Sequence, residues 1–154
     1  MSAFGREAVY AALFSFIQSA LTGSPTPAVT VSRSAQHYSN VDPQSQMPAV
    51  FQLQKGEVAV RKRGLDEKVT LSAVLLIYTA ASQDGEVAAS TAINNIIDTI
   101  DNALSTGLAP ENNQNLGLPE VVQHAWIEGK TEIYEGILLN VSIAIVPIHI
   151  LCTG

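Results

Sequence analysis

The segment HAWIEGKTEIYEG, residues 124–136, places a histidine, a tryptophan, three glutamates and a lysine within thirteen positions. Nowhere else in the chain do side chains able to move protons gather so closely. Two carboxylates could act as general acid and base in glycoside hydrolysis, a chemistry that holds them about 5–9.5 Å apart. If the segment is extended, His124, Trp126, Glu128, Lys130 and Glu132 share one side, and Ala125, Ile127, Thr131 and Ile133 the other. At about 3.3 Å per residue, Glu128 and Glu132 then stand roughly 13 Å apart, outside that range. A helix would draw them together, but Gly129, Thr131 and Ile133 disfavour one and no helical apolar stripe runs through the segment. The segment therefore reads as the polar side of a strand, with Lys130 placed for cross-strand pairing between two glutamates.

The remaining reactive residue types are dispersed. His37, His124 and His149 stand far apart and lack the spacing to Cys or Asp that builds a metal site, so no metal or cofactor is expected. His149, close to Pro147 in an apolar run, reads as a structural histidine at a strand edge or bulge. Cys152 is the single cysteine, which excludes an internal disulfide and fits a reducing compartment. There is no phosphate-cradling glycine loop, nucleophile elbow or Cys-x-x-Cys, so no enzymatic activity is expected. Asn140-Val141-Ser142 matches a glycosylation acceptor but opens an apolar strand and is read as chance.

Charge points the same way. The net charge of −6, with eight Lys and Arg against fourteen Asp and Glu, argues against a protein that coats DNA. Positive charge is dense only at Arg61-Lys62-Arg63, which reads either as a solvated turn or as a contact with phosphate or an acidic partner. Repeated around a symmetry axis, that turn would become a basic ring.

The elements that must position these residues follow from apolar periodicity. Val9, Leu13, Phe16, Ile17, Ala20 and Leu21 recur at helical spacing, predicting a helix over 5–21 that TGSPTP ends. Ala8–Ile17 crudely mimics a secretory signal, but Glu7 interrupts the positive region such a signal requires. Strands are predicted in AVTVSRSAQHYSN and AVFQLQKGEVAV, and RKRGLDEK connects the latter to a third, VTLSAVLLIYTA. In that third strand Val69, Leu71, Ala73, Leu75 and Ile77 make one apolar side, while Val74, Leu76 and Tyr78 make the other apolar over its second half. After the break SQDGE, a second helix is predicted over 86–105 on Ala89, Ile93, Ile96, Ile97, Ile100 and Leu104, with Asp98 and Asp101 facing outward. A loop over 106–120 leads to two long strands joined near YEG.

One domain over residues 1–154 is expected, 47% apolar and only 14% charged, a surplus suited to a core and a subunit interface. No run reaches the roughly 18 apolar residues of a membrane span. The predicted class is α+β: a mostly antiparallel sheet of about five strands with two helices packed on one face, in the order α-β-β-β-α-β-β.

The stretches REAVYAALFSFIQSA, VTVSRSAQHYSNVDPQSQMPAVFQLQKGE, KVTLSAVLLIYTA, INNIIDTIDNAL and HAWIEGKTEIYEGILLNVSIAIVPIHIL resemble, in phrasing and order, the siphophage tail-terminator or tail-completion family. The resemblance spans nearly the whole chain and contains no catalytic motif. It implies a hexameric ring in the virion, at the neck of the tail, assembled in the host cytoplasm. Such a ring caps the tail-tube protein, stops polymerisation and offers a surface to the head–tail connector, while double-stranded DNA passes through without specific binding. The acidic balance suits a channel wall along which DNA slides. The candidate assembly or channel contacts are Arg61, Lys62, Arg63, Glu128, Lys130 and Glu132, with the loops 39–48 and 106–120 beside them.

Three other roles are compatible with the residues. They are another head–tail adaptor or minor tail protein, a small hydrolase or transferase using Glu128 or His124, and a binding module whose Asp98 and Asp101 dock a basic partner.

Overall fold

A computed structural model describes residues 5–24, 27–81, 88–105, 113–138 and 141–153. The first helix, α1 (Arg6–Thr22), buries Val9, Leu13, Ile17 and Leu21 of the expected stripe together with Tyr10, while Phe16 and Ala20 are half-buried. It ends where the Gly23 N–H bonds back to the Leu21 carbonyl and Thr22 Oγ1 donates to the Gln18 carbonyl at 2.8 Å. The second helix, α2 (Ala89–Ser105), buries Ala89, Ile93, Ile96, Ile100 and Leu104 and exposes Asp98 and Asp101. The break SQDGE, the predicted first residues of this helix and residues 106–112 of the predicted loop lie outside the described residues.

The strands are β1 (Thr30–Ser32), β2 (Ala49–Val60), β3 (Lys68–Ala80), β4 (Val122–Ile127), β5 (Glu132–Leu138) and β6 (Val141–Thr153). They form one sheet in the order β1-β2-β3-β6-β4, with β5 also pairing β6. The β1–β2 pair is parallel, over three residues only, and every other pair is antiparallel. The class is therefore α+β with the expected order of helices and strands, the final hairpin carrying a divided first strand.

That division has a local cause. Pairing along one edge of β6 stops at Ile127↔Ile148 and resumes at Glu132↔Ile145. Pro147 lies in the gap and has no N–H to donate to a strand there. Gly129 turns the chain at φ +107°, and an added Cβ would sit 3.4 Å from the Pro147 ring. The alternation expected from His124 to Glu132 thus ends at Ile127: His124 and Trp126 share a face, whereas Glu128 and Lys130 occupy the link and Glu132 opens β5. The terminal hairpin reverses after Leu138, which pairs with Val141, rather than at YEG. Pro147 marks a break in the ladder within a strand that has neighbours on both sides.

Both helices cover one face of the sheet. Val69, Leu71, Ala73, Leu75 and Ile77 of β3 lie beneath them with Ala144, Val146, Ile148 and Ile150 of β6. The opposite face is covered over only half its length. There Phe51, Tyr78, Val141 and Ile143 pack under Val41 and Met47, and the Tyr78 hydroxyl donates to the Gln36 carbonyl at 2.7 Å. The segment 33–48 is thus partly a lid on the sheet, and the apolar second side of β3 is what it covers. Within the predicted loop 39–48 only Val41 and Met47 are buried, while residues 39–40 and 42–45 are exposed surface.

The described part of the 106–120 loop is also structural. Gln114 is buried: its N–H donates to His124 Nδ1 at 3.0 Å, and its carbonyl accepts from the Ala125 N–H at 2.9 Å. Leu116 joins the main core. Residues 113–118 therefore shield the outer edge of β4, so deleting 106–120 would remove core as well as surface.

Cys152 lies wholly buried under the helices, and burial pushes its thiol up to about 11. At pH 7 only on the order of one thiol in ten thousand is then ionised, and alkylation needs the thiolate. Iodoacetamide is expected to leave native protein unlabelled over hours and to label it within minutes in denaturant, followed by mass spectrometry.

Candidate functional site

Two surfaces on opposite edges of the sheet carry the candidate residues. The first is an arm. Beyond Phe51, β1 no longer flanks β2, and residues 54–60 are exposed as β2 runs out with β3. The register shifts between Gln54 and Glu57, a bulge that twists a strand and turns it away from its sheet. The paired strands close at Val60↔Lys68, and the connection 61–67 forms the tip.

The arm is anchored at its base. Arg6 of α1 holds Glu57 through two bonds, one of them Nη2 to Oε2 at 2.7 Å, and this partner lowers the Glu57 carboxyl below its usual range. Gln52, beneath the base, donates to the Tyr10 carbonyl at 2.9 Å. At the tip Arg61 is held by Glu67 at 2.8 Å, an exposed pair that positions the turn more than it stabilises the fold. Lys62 and Arg63 are exposed with no ion-pair partner among the described residues. Val58, Val60 and Leu65 stand beside them, 66%, 49% and 68% exposed. Val60 and Leu65 line one shallow recess with Lys62, Asp66 and Lys68.

The second surface is the β4–β5 edge. Glu128 and Lys130 are exposed in the link and Glu132 is half-buried, its Oε2 accepting from the Tyr134 hydroxyl at 3.0 Å. That acceptor raises the Tyr134 phenol above its ordinary value. Glu135 accepts from Ser90 Oγ at 2.9 Å, which ties β5 to the start of α2. Ile133 and Tyr134 are 45% and 46% exposed. Glu128, Lys130 and Glu132 thus gather on one edge, while Arg61, Lys62 and Arg63 gather at the other.

Between the edges lies the uncovered half of the open sheet face. Leu53, Val74, Pro147, Leu151, His124, Trp126 and His149 are all half-buried there. Three rings form a ladder: His124 stacks on Trp126 at 5.4 Å and 10°, and Trp126 meets His149 at 5.8 Å. His149 Nε2 donates to the Glu128 carbonyl at 3.2 Å, so Nδ1 is the acceptor for Ser72 Oγ at 3.3 Å. Both nitrogens are engaged, as expected for a structural histidine, and the bond to Glu128 fixes the link between β4 and β5.

The structure does not bring His124 and Glu128 into one recess. His124 lines a shallow recess with Asp101, Ser105 and Trp126, but Glu128 is not among its described lining residues, and the Gln114 N–H engages His124 Nδ1. Among the described residues no three His, Cys, Asp or Glu side chains converge on a point where a metal would sit. No helix among them is long and apolar enough to cross a membrane.

The exposed apolar residues of both edges escaped the sequence reading. Val58 and Val60 continue the alternation of a strand, and only the position of the core shows that the strand has left it. Ile133 keeps the expected side, pairing with Ala144 as Ile127 pairs with Ile148, but it stands on an edge strand and is exposed.

An α+β domain with one sheet face under two helices and the other half open is the class this fold defines. No family model matches the chain, and no curated protein matches it. Among solved structures it is similar to a chain of the virion of a native gene transfer agent particle, with a TM-score of 0.55 and 10% identity. The likeness covers 96% of this chain and 98% of that one, so the two share the fold from end to end.

Proposed function

We propose that this chain is a structural protein of a phage-like particle, of the tail-terminator or tail-completion type. The observation that carries the reading is the end-to-end likeness to a virion chain. Three further features support it. The resemblance in phrasing to tail terminators runs through all the elements that build the sheet. Two exposed surfaces of opposite character flank that sheet, as ring subunits require of their two sides. The acid-rich composition suits a channel through which DNA slides, since a wall of clustered Lys and Arg would hold its phosphates.

In this reading six copies form a ring on the head-proximal end of the tail tube. The ring occupies the surface that the next tube subunit would use, ends polymerisation and presents its other side to the head–tail connector. The role is mechanical rather than catalytic. His124 and His149 are engaged by the scaffold, and the backbone carbonyl of Glu128 accepts from His149 in the β4–β5 link.

Electron microscopy of particles lacking the protein tests this function. Headless tubes well beyond normal length are expected. Tubes of normal length that fail to join heads would replace termination with an adaptor role, and normal, joined particles would end both readings.

A further inference from the structure

Exposed apolar side chains and net charge are distributed unevenly over this molecule. Six large hydrophobic residues are exposed among the described residues; Val58, Val60 and Leu65 lie on the arm and Ile133 and Tyr134 on β5. Only Val29 lies elsewhere. Scattered exposed apolar residues are ordinary, but five of six on two opposite edges of one sheet are a pattern.

Charge follows the same division. Residues 55–68 carry five Lys and Arg against three Asp and Glu, in a chain of net charge −6. Residues 120–135 carry four glutamates against one lysine. Each edge thus carries exposed apolar side chains beside a charge opposite to that of the other.

We propose that copies of this chain associate head to tail, the β2–β3 arm of one copy lying on the β4–β5 edge of the next. Lys62 and Arg63 then face Glu128 and Glu132, and Val58 and Val60, with Leu65 of the tip, cover Tyr134, which lies on the same open side of the sheet. The occupant is a second copy because both halves of the contact are on this chain, on edges that a copy displaced across the sheet brings together. Arm against arm would place cations against cations, which excludes a two-fold pairing of that surface. The free edge of β2 also favours a partner beside it, since its outward N–H and C=O groups have no strand partner beyond Phe51 among the described residues. A heterologous contact of this kind closes into a ring when its rotation permits. The inference deepens the ring reading and rests on it, naming the surfaces that meet.

Native mass spectrometry and sedimentation of the isolated chain provide the test, using K62E/R63E, E128K/E132K and their equimolar mixture. The wild-type chain is expected to assemble. Each variant alone sets like charges against each other and is expected to remain monomeric, with association weakened on the order of 100-fold or more. In the mixture every contact again pairs opposite charges, so assembly with alternating subunits is expected. L65D, in an exposed turn outside the core, is expected to weaken assembly with an unchanged circular dichroism spectrum.

Wild-type-like assembly of both charge variants would overturn the interface while leaving a ring intact. A mixture of folded variants that stays monomeric would overturn the pairing of these two edges. A wild-type chain that stays monomeric at all concentrations would overturn the proposal, and the tail-length experiment would then judge the capping function separately.

Discussion

Replacing residues 61–67 by a two-residue Asn-Gly turn is expected to give a folded, soluble chain that no longer enters particles. The arm closes at Val60↔Lys68, where a short type I′ turn can join antiparallel strands without splaying them. Six of the seven deleted residues are exposed and none belongs to either core cluster. The lost Arg61–Glu67 pair is solvated and contributes at most about 1 kcal/mol. Circular dichroism and thermal melting should therefore change little. Incorporation, read by immunoblot of purified particles from a complemented deletion strain, should fall to background. A tip of the original length refilled with Gly and Ser keeps the reach but lacks the cations and Leu65, and it should fail as well. Normal incorporation of both variants would remove the arm from the assembly surface.

Leu71→Ala is expected to show the largest loss of stability. Leu71 lies in the strand between β2 and β6, opposite Glu57 and Ile150, and is wholly buried beneath the helices. Truncating such a leucine removes transfer free energy and leaves a cavity that neighbours in a sheet fill poorly, at a cost of about 2–5 kcal/mol. Even the lower figure shifts the folded-to-unfolded ratio about 30-fold. Urea denaturation should show a lower midpoint with an unchanged slope. Val58→Ala on the arm, 66% exposed, should leave that midpoint within about 0.5 kcal/mol of the wild type. The pair separates what folding requires from what assembly requires: Leu71 is silent at the surface, and Val58 is nearly silent in the core.

The expected features that hold are those with a local physical signature. The two helices and their buried stripes follow from three-to-four spacing, and the two apolar sides of β3 follow from alternation. Even the half-covered second face was legible, because Leu76 and Tyr78 are apolar while Ser72 and Thr70 before them are not. The α+β class and the order of its elements required no more than this. His149 could be read as structural from its place beside Pro147.

The site was less legible, because it depends on which segments leave the core. Alternation carried through HAWIEGKTE places Glu128, Lys130 and Glu132 on one strand face. Gly129 at a positive φ, opposite a proline that cannot donate, ends that alternation and puts two of the three in a link. Apolar Val58 and Val60 belong to the core by their type and to the surface by the geometry of an arm that outruns its neighbours. Gln114 and Leu116, in a segment of loop-like composition, fold back to cap β4.

The sequence by itself determined the elements, the buried side of each and the absence of a ligand-spaced metal motif. These depend on side-chain type and repeat, which are properties of neighbours along the chain. Only the tertiary structure decided that the basic tip and the acidic link lie on opposite edges of one sheet. Strand order and register bring residues as distant in sequence as Leu71 and Ile150 into one row, and no local pattern encodes which edge remains open.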